Sequence, residues 1–366
     1  MTENLNPEQL RRQTLDLLRF PLAISVMVIH IWPIVSKDST TIQFSQLPVF
    51  TAICNILAGF LRNQSVPIYF FIAGFVFFYN INFNRNTYIQ KLKNRVHSLL
   101  IPYLIWNTLS LLIEIITRVI AKKSLNLSLT NIIQCFTMYN GALIGNSLDD
   151  SGCPINYPLW FLRDLMIVVL CTPILFRLIK YSKHYFILLL GCMWLASTYM
   201  LTIPAERIFS AFFFFSWGAY MSICKLDMLN EFGRYFKSSM IVYPILGALH
   251  VAATYICPQA CLTIKNINIV VGLLFAYNLS SWLLRHGFCN VSSFLAASGF
   301  FIYVAHSLII NRITSLQTHF VDTDSDVQMI LVRVITMFVT TCILLGAFHI
   351  LRRYMPSVLK VIAGRK

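Results

Sequence analysis

Charge is scarce in this 366-residue chain: Asp, Glu, Lys and Arg together make up 12% of it, roughly half the share of a water-soluble globular domain. That shortage excludes an ordinary soluble fold. Acidic residues are the rarer kind, 14 against 29 Lys and Arg, which leaves a formal charge of +15. Other absences narrow the chemistry. There is no glycine-rich phosphate loop, no Gly-x-Ser-x-Gly elbow and no Cys/His array with metal-ligand spacing, so no metal is expected. The ten cysteines are scattered, mostly in apolar runs where Cys behaves as a small buried hydrophobe. The exception is Cys257-Pro-Gln-Ala-Cys261, in a short loop between two spans. A metal there would need further ligands, and its thiols read equally as a disulfide or as two free groups.

What is present is apolar. Hydrophobic residues make up 57% of the chain, and stretches long enough to cross a bilayer as a helix, about 18 residues or more, recur from end to end. The pattern predicts an all-α polytopic integral membrane protein of about ten transmembrane helices, near 15–36, 63–82, 97–120, 158–179, 184–203, 205–223, 238–257, 266–284, 294–315 and 328–351. Residues 48–61 are short for a span and read as a re-entrant or interfacial helix, or else as an eleventh crossing. The chain reads as a single transmembrane domain, 1–366, with no soluble domain appended. Its leading segment is polar and acidic and no small-residue cleavage site follows the first apolar run, so that run is not expected to be a signal peptide.

Loop charge orients the bundle. With the N-terminus in the cytoplasm, the inner segments hold Arg11, Arg12, Arg85, Lys91, Lys93, Arg95, Arg177, Lys180, Lys183, Lys225, Arg234, Lys237, Arg285, Arg352, Arg353, Lys360, Arg365 and Lys366. The outer loops hold mainly Lys37, Lys122, Lys123, Arg207 and Lys265, with Asp149, Asp150, Asp322, Asp324 and Asp326. Both termini are therefore expected in the cytoplasm, and the same rule explains the net charge without a nucleic-acid partner. The longest loop, about 121–157, is polar, carries Gly141, Gly145, Gly152 and Pro154, and is expected outside, over an outward-facing opening.

Two costly side chains stand out in the first span. Arg19 and His30 are separated by ten residues; eleven helical steps return to nearly the same face and place them ~16 Å apart along the axis. Ionisable groups in a membrane helix point to function by default. The competing reading has Arg19 snorkelling to lipid headgroups while His30 hydrogen-bonds within the bundle. Asp16, three residues before Arg19, is placed to pair with it or orient it.

The spacing of Arg19 and His30 matches the arginine–ten residues–histidine signature of the acyltransferase 3 group of membrane O-acyltransferases, and the chain resembles that family in four further places, in order. Ser65-Val66-Pro67-Ile68-Tyr69-Phe70-Phe71-Ile72-Ala73-Gly74-Phe75 is similar to its second-span segment, with Ala73 where serine is common. Arg95 with Ile101-Pro102-Tyr103 resembles its basic turn into a proline-tyrosine third span. Pro158-Leu159-Trp160-Phe161-Leu162 is similar to its tryptophan-phenylalanine-leucine element, and Ser298-Gly299-Phe300-Phe301-Ile302-Tyr303-Val304-Ala305-His306 to its late serine…tyrosine…histidine span. The resemblance implies a multi-pass protein of a bacterial plasma membrane. It implies transfer of an acyl group, usually acetyl from cytoplasmic acetyl-CoA, to a hydroxyl of a cell-surface polysaccharide or a lipid-linked glycan.

Under that reading His30 is the catalytic group, as a general base or a transient acyl carrier, and Arg19 anchors a CoA phosphate at the inner mouth. Asp16 and Arg95 complete the expected donor-binding set; Lys91 and Lys93 join Arg95 in a basic cluster that reads either as a phosphate site or as ordinary inner-loop charge. Trp160, Arg163, Asp164, Tyr303 and His306 are candidates for the acceptor site. Arg163 and Asp164 are neighbours and so do not pair on one helix face; each is expected to find a partner elsewhere, with Arg163 either structural or stabilising a developing oxyanion. Glu114 and Arg118, four apart, are expected to pair, Arg312 and Arg333 to pair with the acidic outer loop, and His250 to be structural. Phe212-Phe213-Phe214-Phe215 with Trp217 reads as a lipid-facing or helix-packing surface. The alternative function is a transporter or exporter of a small polar solute through the same polar tunnel.

Overall fold

The structure, a computed structural model, describes residues 6–32, 47–138, 152–317 and 325–364. Lys37, Gly141, Gly145, Asp149, Asp150, Asp322, Asp324, Arg365 and Lys366, on which parts of the sequence reading rest, lie outside the described residues. Every regular element among the described residues is a helix, as expected: α1 (Pro7–Ile31), α2 (Pro48–Leu57), α3 (Ser65–Phe78), α4 (Arg85–Arg95), α5 (Ile101–Ile120), α6 (Leu129–Phe136), α7 (Trp160–Leu170), α8 (Thr172–Met200), α9 (Ile203–Ile223), α10 (Met228–Gly233), α11 (Phe236–Ile256), α12 (Pro258–Arg285), α13 (Ser293–Gln317), α14 (Asp326–Tyr354) and α15 (Pro356–Ile362).

Seven helices among the described residues are long and apolar enough to cross a membrane, or eight if the bent pair Tyr157–Leu170 and Thr172–Met200 counts as one span. Their exposed faces are apolar: on α14, Leu331, Val334, Ile335 and Phe338 are all more than half exposed, the surface that lipid covers in a membrane protein. The short stretch 48–61 is not isolated from the helix that follows. It continues through a π-helical turn, Ala58–Arg62, toward α3, and Pro48–Phe78 is one candidate span. A break does fall between the expected spans 158–179 and 184–203: Lys183 has φ 47° and ψ −126° inside α8, a backbone conformation that no regular helix adopts.

The chain divides into two compact units, residues 1–69 with 226–346 and residues 70–225 with 347–366. In the first, α1 packs along α13 and α12, and α11 packs along α12. The start of α1 is specified by a capping box: the Asn6 side chain accepts from the Gln9 backbone, the Gln9 side chain accepts from the Asn6 backbone, and Pro7 opens the first turn. Leu15, Leu18, Leu22 and Val26 then recur at three- and four-residue spacing and are all buried, the stripe an inward helix face needs.

In the second unit, α9 packs on α7 and α8, and glycines set the closest approach. A Cβ on Gly74 would lie 1.9 Å from the Phe215 carbonyl oxygen, and one on Gly218 would lie 2.0 Å from that of Phe71. The phenylalanine run is a packing surface: Phe214 and Phe215 are fully buried, and Phe213 stacks on Trp194 with ring centroids 5.3 Å apart.

Candidate functional site

In the first unit the two ends of the Arg19–His30 motif meet different surroundings. Arg19 is exposed, its guanidinium 3.1 Å from Asp16 Oδ1, which is the expected local pair. Its backbone carbonyl accepts a hydrogen bond from the Tyr69 hydroxyl at 2.8 Å. On α13, Gly299 faces the same carbonyl, where a Cβ would stand 3.1 Å from the oxygen; the small residue lets α13 run close against α1. Further along, the Ser25 hydroxyl donates to the Leu61 carbonyl and Ser65 donates to Ser25, both at 2.6 Å.

One turn further, α1 delivers His30 to α13. The His30 and His306 rings stack with centroids 5.3 Å apart and an interplanar angle of 24°. His30 is half-buried and His306 is 0% exposed. His306 Nδ1 lies 3.1 Å from the Ile302 carbonyl oxygen. A carbonyl only accepts, so Nδ1 carries the proton and Nε2 presents a lone pair. That Nε2 is buried and has no hydrogen-bond partner among the described residues. Tyr303, also buried, has its ring 6.3 Å from His306. The pair of imidazoles thus offers one buried nitrogen lone pair beside a second, more accessible ring.

The other candidates lie in the second unit. Arg163 and Asp164 correct the expectation for adjacent residues: Arg163 Nε and Nη2 reach Asp164 Oδ1 at 2.9 and 2.8 Å. The guanidinium curls back over its neighbour because the carbonyls of Thr137 and Gly152 hold Nη1 at 2.7 and 2.6 Å. The Asp164 carboxylate is fully buried and keeps one oxygen, Oδ2, without a partner among the described residues. Arg207, read from the sequence as outer-loop charge, lies over the Trp160 ring at 4.5 Å and donates to Cys153 Sγ at 3.1 Å. Trp160, Arg163, Asp164 and Arg207 therefore form one ordered cluster, and nothing in sequence spacing joins Arg207 to it.

The basic cluster on α4 divides. Lys91 and Arg95, one turn apart, approach the Phe77 ring at 5.5 and 5.8 Å, whereas Lys93 points to the exposed side. Glu114 and Arg118 pair as expected at 2.7 Å, and Arg118 also donates to the Ser124 carbonyl. Cys257 and Cys261 are free thiols. His250 is buried with Nδ1 3.5 Å from Cys261 Sγ, a contact across the α11–α12 hairpin that the sequence pattern does not suggest. Outside the spans, burial pushes the Cys135 thiol up to about 11, which keeps it protonated near neutral pH. No group of three or more metal-ligating side chains occurs among the described residues.

Comparison with known proteins gives the chain a family. The chain is 24% identical over 294 residues to the succinoglycan biosynthesis protein ExoH of Rhizobium meliloti (strain 1021), a match covering 76% of this chain and 73% of that protein. No solved structure matches. Residues 12–349 match the acyltransferase domain family, a stretch that begins just before Asp16, takes in every candidate site residue, and shows that the chain belongs to the acyltransferase 3 family.

Proposed function

We propose that this acyltransferase moves an acetyl group from cytoplasmic acetyl-CoA to a hydroxyl of a cell-surface polysaccharide or its lipid-linked precursor, with His30 at the reacting centre. The observation that carries the proposal is the His30–His306 stack at the far end of α1 from Arg19. The ~16 Å between the motif's ends is of the order of a pantetheine arm. Arg19, held by Asp16, is suited to a CoA phosphate because its planar guanidinium stays charged and offers paired donors. Arg95 and Lys91 supply a second basic position on the same reading. The thioester then lies toward His30.

The chemistry is direct. His30 accepts the proton of the acceptor hydroxyl as that oxygen bonds to the thioester carbon. The C–S bond breaks, and the proton passes to the departing thiolate. If instead the imidazole attacks first, the C–S bond breaks as an acyl-histidine forms and the CoA thiolate leaves; in a second step the hydroxyl oxygen takes the acyl group, the N–C bond breaks, and the hydroxyl proton passes to the freed imidazole. His306, packed against His30, fixes the plane of its ring in either route. The polysaccharide acceptor is favoured by the similarity to a succinoglycan biosynthesis protein. Trp160 and Arg163 supply the aromatic and charged surfaces that suit a sugar, and loop charge favours both termini in the cytoplasm.

The test uses purified protein in lipid nanodiscs with radiolabelled acetyl-CoA and membrane glycans as acceptors. Wild type should pass label to glycan, and His30→Ala should not, at equal expression and with the same elution on size exclusion. Label transfer retained in His30→Ala overturns the assignment. No label at all, together with solute flux in proteoliposomes, replaces the enzyme with a transporter.

A further inference from the structure

In the second unit the exposed surface changes character at the end of α14. Ile350 is apolar and more than half exposed, as lipid-facing residues are. Within about one turn come Arg352, Arg353 and Tyr354, all exposed, with the Arg353 guanidinium 5.7 Å from the centre of the Tyr354 ring. A switch from apolar to basic in one turn, marked by an exposed tyrosine, is the pattern of a helix leaving the hydrocarbon for the headgroup layer.

The next helix folds back on the unit. α15 packs along α5 and the π-helical turn Val96–Leu100 before it. Leu359 and Ala363 are buried, and the Trp106 indole N–H donates to the Ile362 carbonyl at 2.9 Å. Gly364, at φ 62°, lies so close to Ser98 that a Cβ would stand 2.3 Å from its carbonyl oxygen, so both its conformation and its contact call for glycine. With Leu359 turned inward, the 100° helical step puts Val358 and Val361 on one flank and Lys360 on the other. All three are exposed. The docked turn is therefore amphipathic across its outer surface.

α4 adds charge beside it. Arg85–Ile120 is one candidate span of 36 residues, ~54 Å of helix against a hydrocarbon core of about 30 Å. The excess is α4, which has no buried residue and exposes Arg85 and Lys93. Residues 70–113 and 347–366, which this packing joins, hold nine Lys and Arg and no Asp or Glu. Sorting of positive loops to one side of the membrane accounts for the sign of that charge. It does not account for the fold-back, which sets basic and apolar side chains next to one another on one docked turn.

We propose that α15 and the end of α14 form a binding surface for anionic phospholipid headgroups, in which Arg352, Arg353 and Lys360 meet the phosphates and Val358 and Val361 enter the acyl-chain boundary. Lys and Arg clustered on an amphipathic segment beside a span attract such lipids by charge and by burial together. The proposal does not depend on acyl transfer.

The experiment measures the affinity of the detergent-purified full chain for phosphatidylglycerol by native mass spectrometry, with phosphatidylcholine as the zwitterionic reference and thermal unfolding in nanodiscs of each lipid alongside. Wild type should prefer phosphatidylglycerol and unfold at a higher temperature in it, as for any ligand that favours the folded state. Arg352→Gln/Lys360→Gln should weaken phosphatidylglycerol binding about 25-fold, about fivefold for each charge removed near the surface. Its phosphatidylcholine binding should not change. Lys122→Gln/Lys123→Gln removes the same charge from another exposed turn and should keep wild-type affinity. Gly364→Val keeps every charge but cannot pack on Ser98, and should lose part of the preference as α15 is displaced. The proposal is overturned if wild type binds both lipids equally, if the Lys122/Lys123 variant loses as much as the Arg352/Lys360 variant, or if Gly364→Val keeps the full preference. A wild-type dimer on size exclusion that Arg352→Gln/Lys360→Gln disperses would give the surface to a second copy of the chain and overturn it as well.

Discussion

The two units treat their buried ionisable groups in opposite ways. In the second, charge is matched within the chain: Arg163 has Asp164 and two backbone carbonyls, and Arg118 has Glu114 and Ser124. In the first, His306 Nε2 and Arg333 Nε are buried without partners among the described residues. Matched networks rigidify a fold, and buried groups left open are what a site needs before its ligand arrives. On the proposed function the reacting group lies in the first unit and the Glu114–Arg118 pair of the second is structural, while Asp164 keeps one open oxygen.

The sharpest way to break that contrast is His30→Ala, which should lower acyl transfer by about 10²- to 10⁴-fold, the usual worth of a positioned acid–base group, with no change in unfolding midpoint. His306→Ala should cut the rate by a smaller factor, read in the same label-transfer assay. In the second unit the consequences fall on stability. Asp164→Ala strands the Arg163 charge and should cost about 3–5 kcal/mol, measured by thermal unfolding in detergent; a variant as stable as wild type would remove the scaffolding role. Gly218→Ala forces a methyl group into the Phe71 backbone and should cost about 1–3 kcal/mol or more. Glu114→Ala, which leaves Arg118 its backbone partner, should cost about 1 kcal/mol. Smallest of all, dithiothreitol should leave the unfolding midpoint unchanged, since Cys257 and Cys261 are free thiols.

The sequence is legible where partners are local. Asp16–Arg19 and Glu114–Arg118 follow from three- and four-residue spacing, and α1 from its apolar stripe. His306 comes beside His30 through its similar depth in a parallel span together with the family resemblance. Rules of spacing fail where long side chains or distant helices decide. Arg163 folds back on its neighbour because two loop carbonyls pull it there. Arg207 reaches Trp160 from a different helix. A one-dimensional pattern holds no information about which helices lie side by side.

The π-helical turn at Ala58–Arg62 amounts to one residue inserted into an otherwise continuous α-helix. The start of α3 is phased by that insertion: Ser65 meets Ser25, and Tyr69 meets the Arg19 carbonyl. Deleting a single residue there would regularise the helix and swing α3 by about 100° about its axis. Both hydrogen bonds to α1 would be carried away from it, with no side chain of the motif itself replaced. The spacing of the Arg19–His30 helix against its neighbours is thus kept by a count of residues on a different segment.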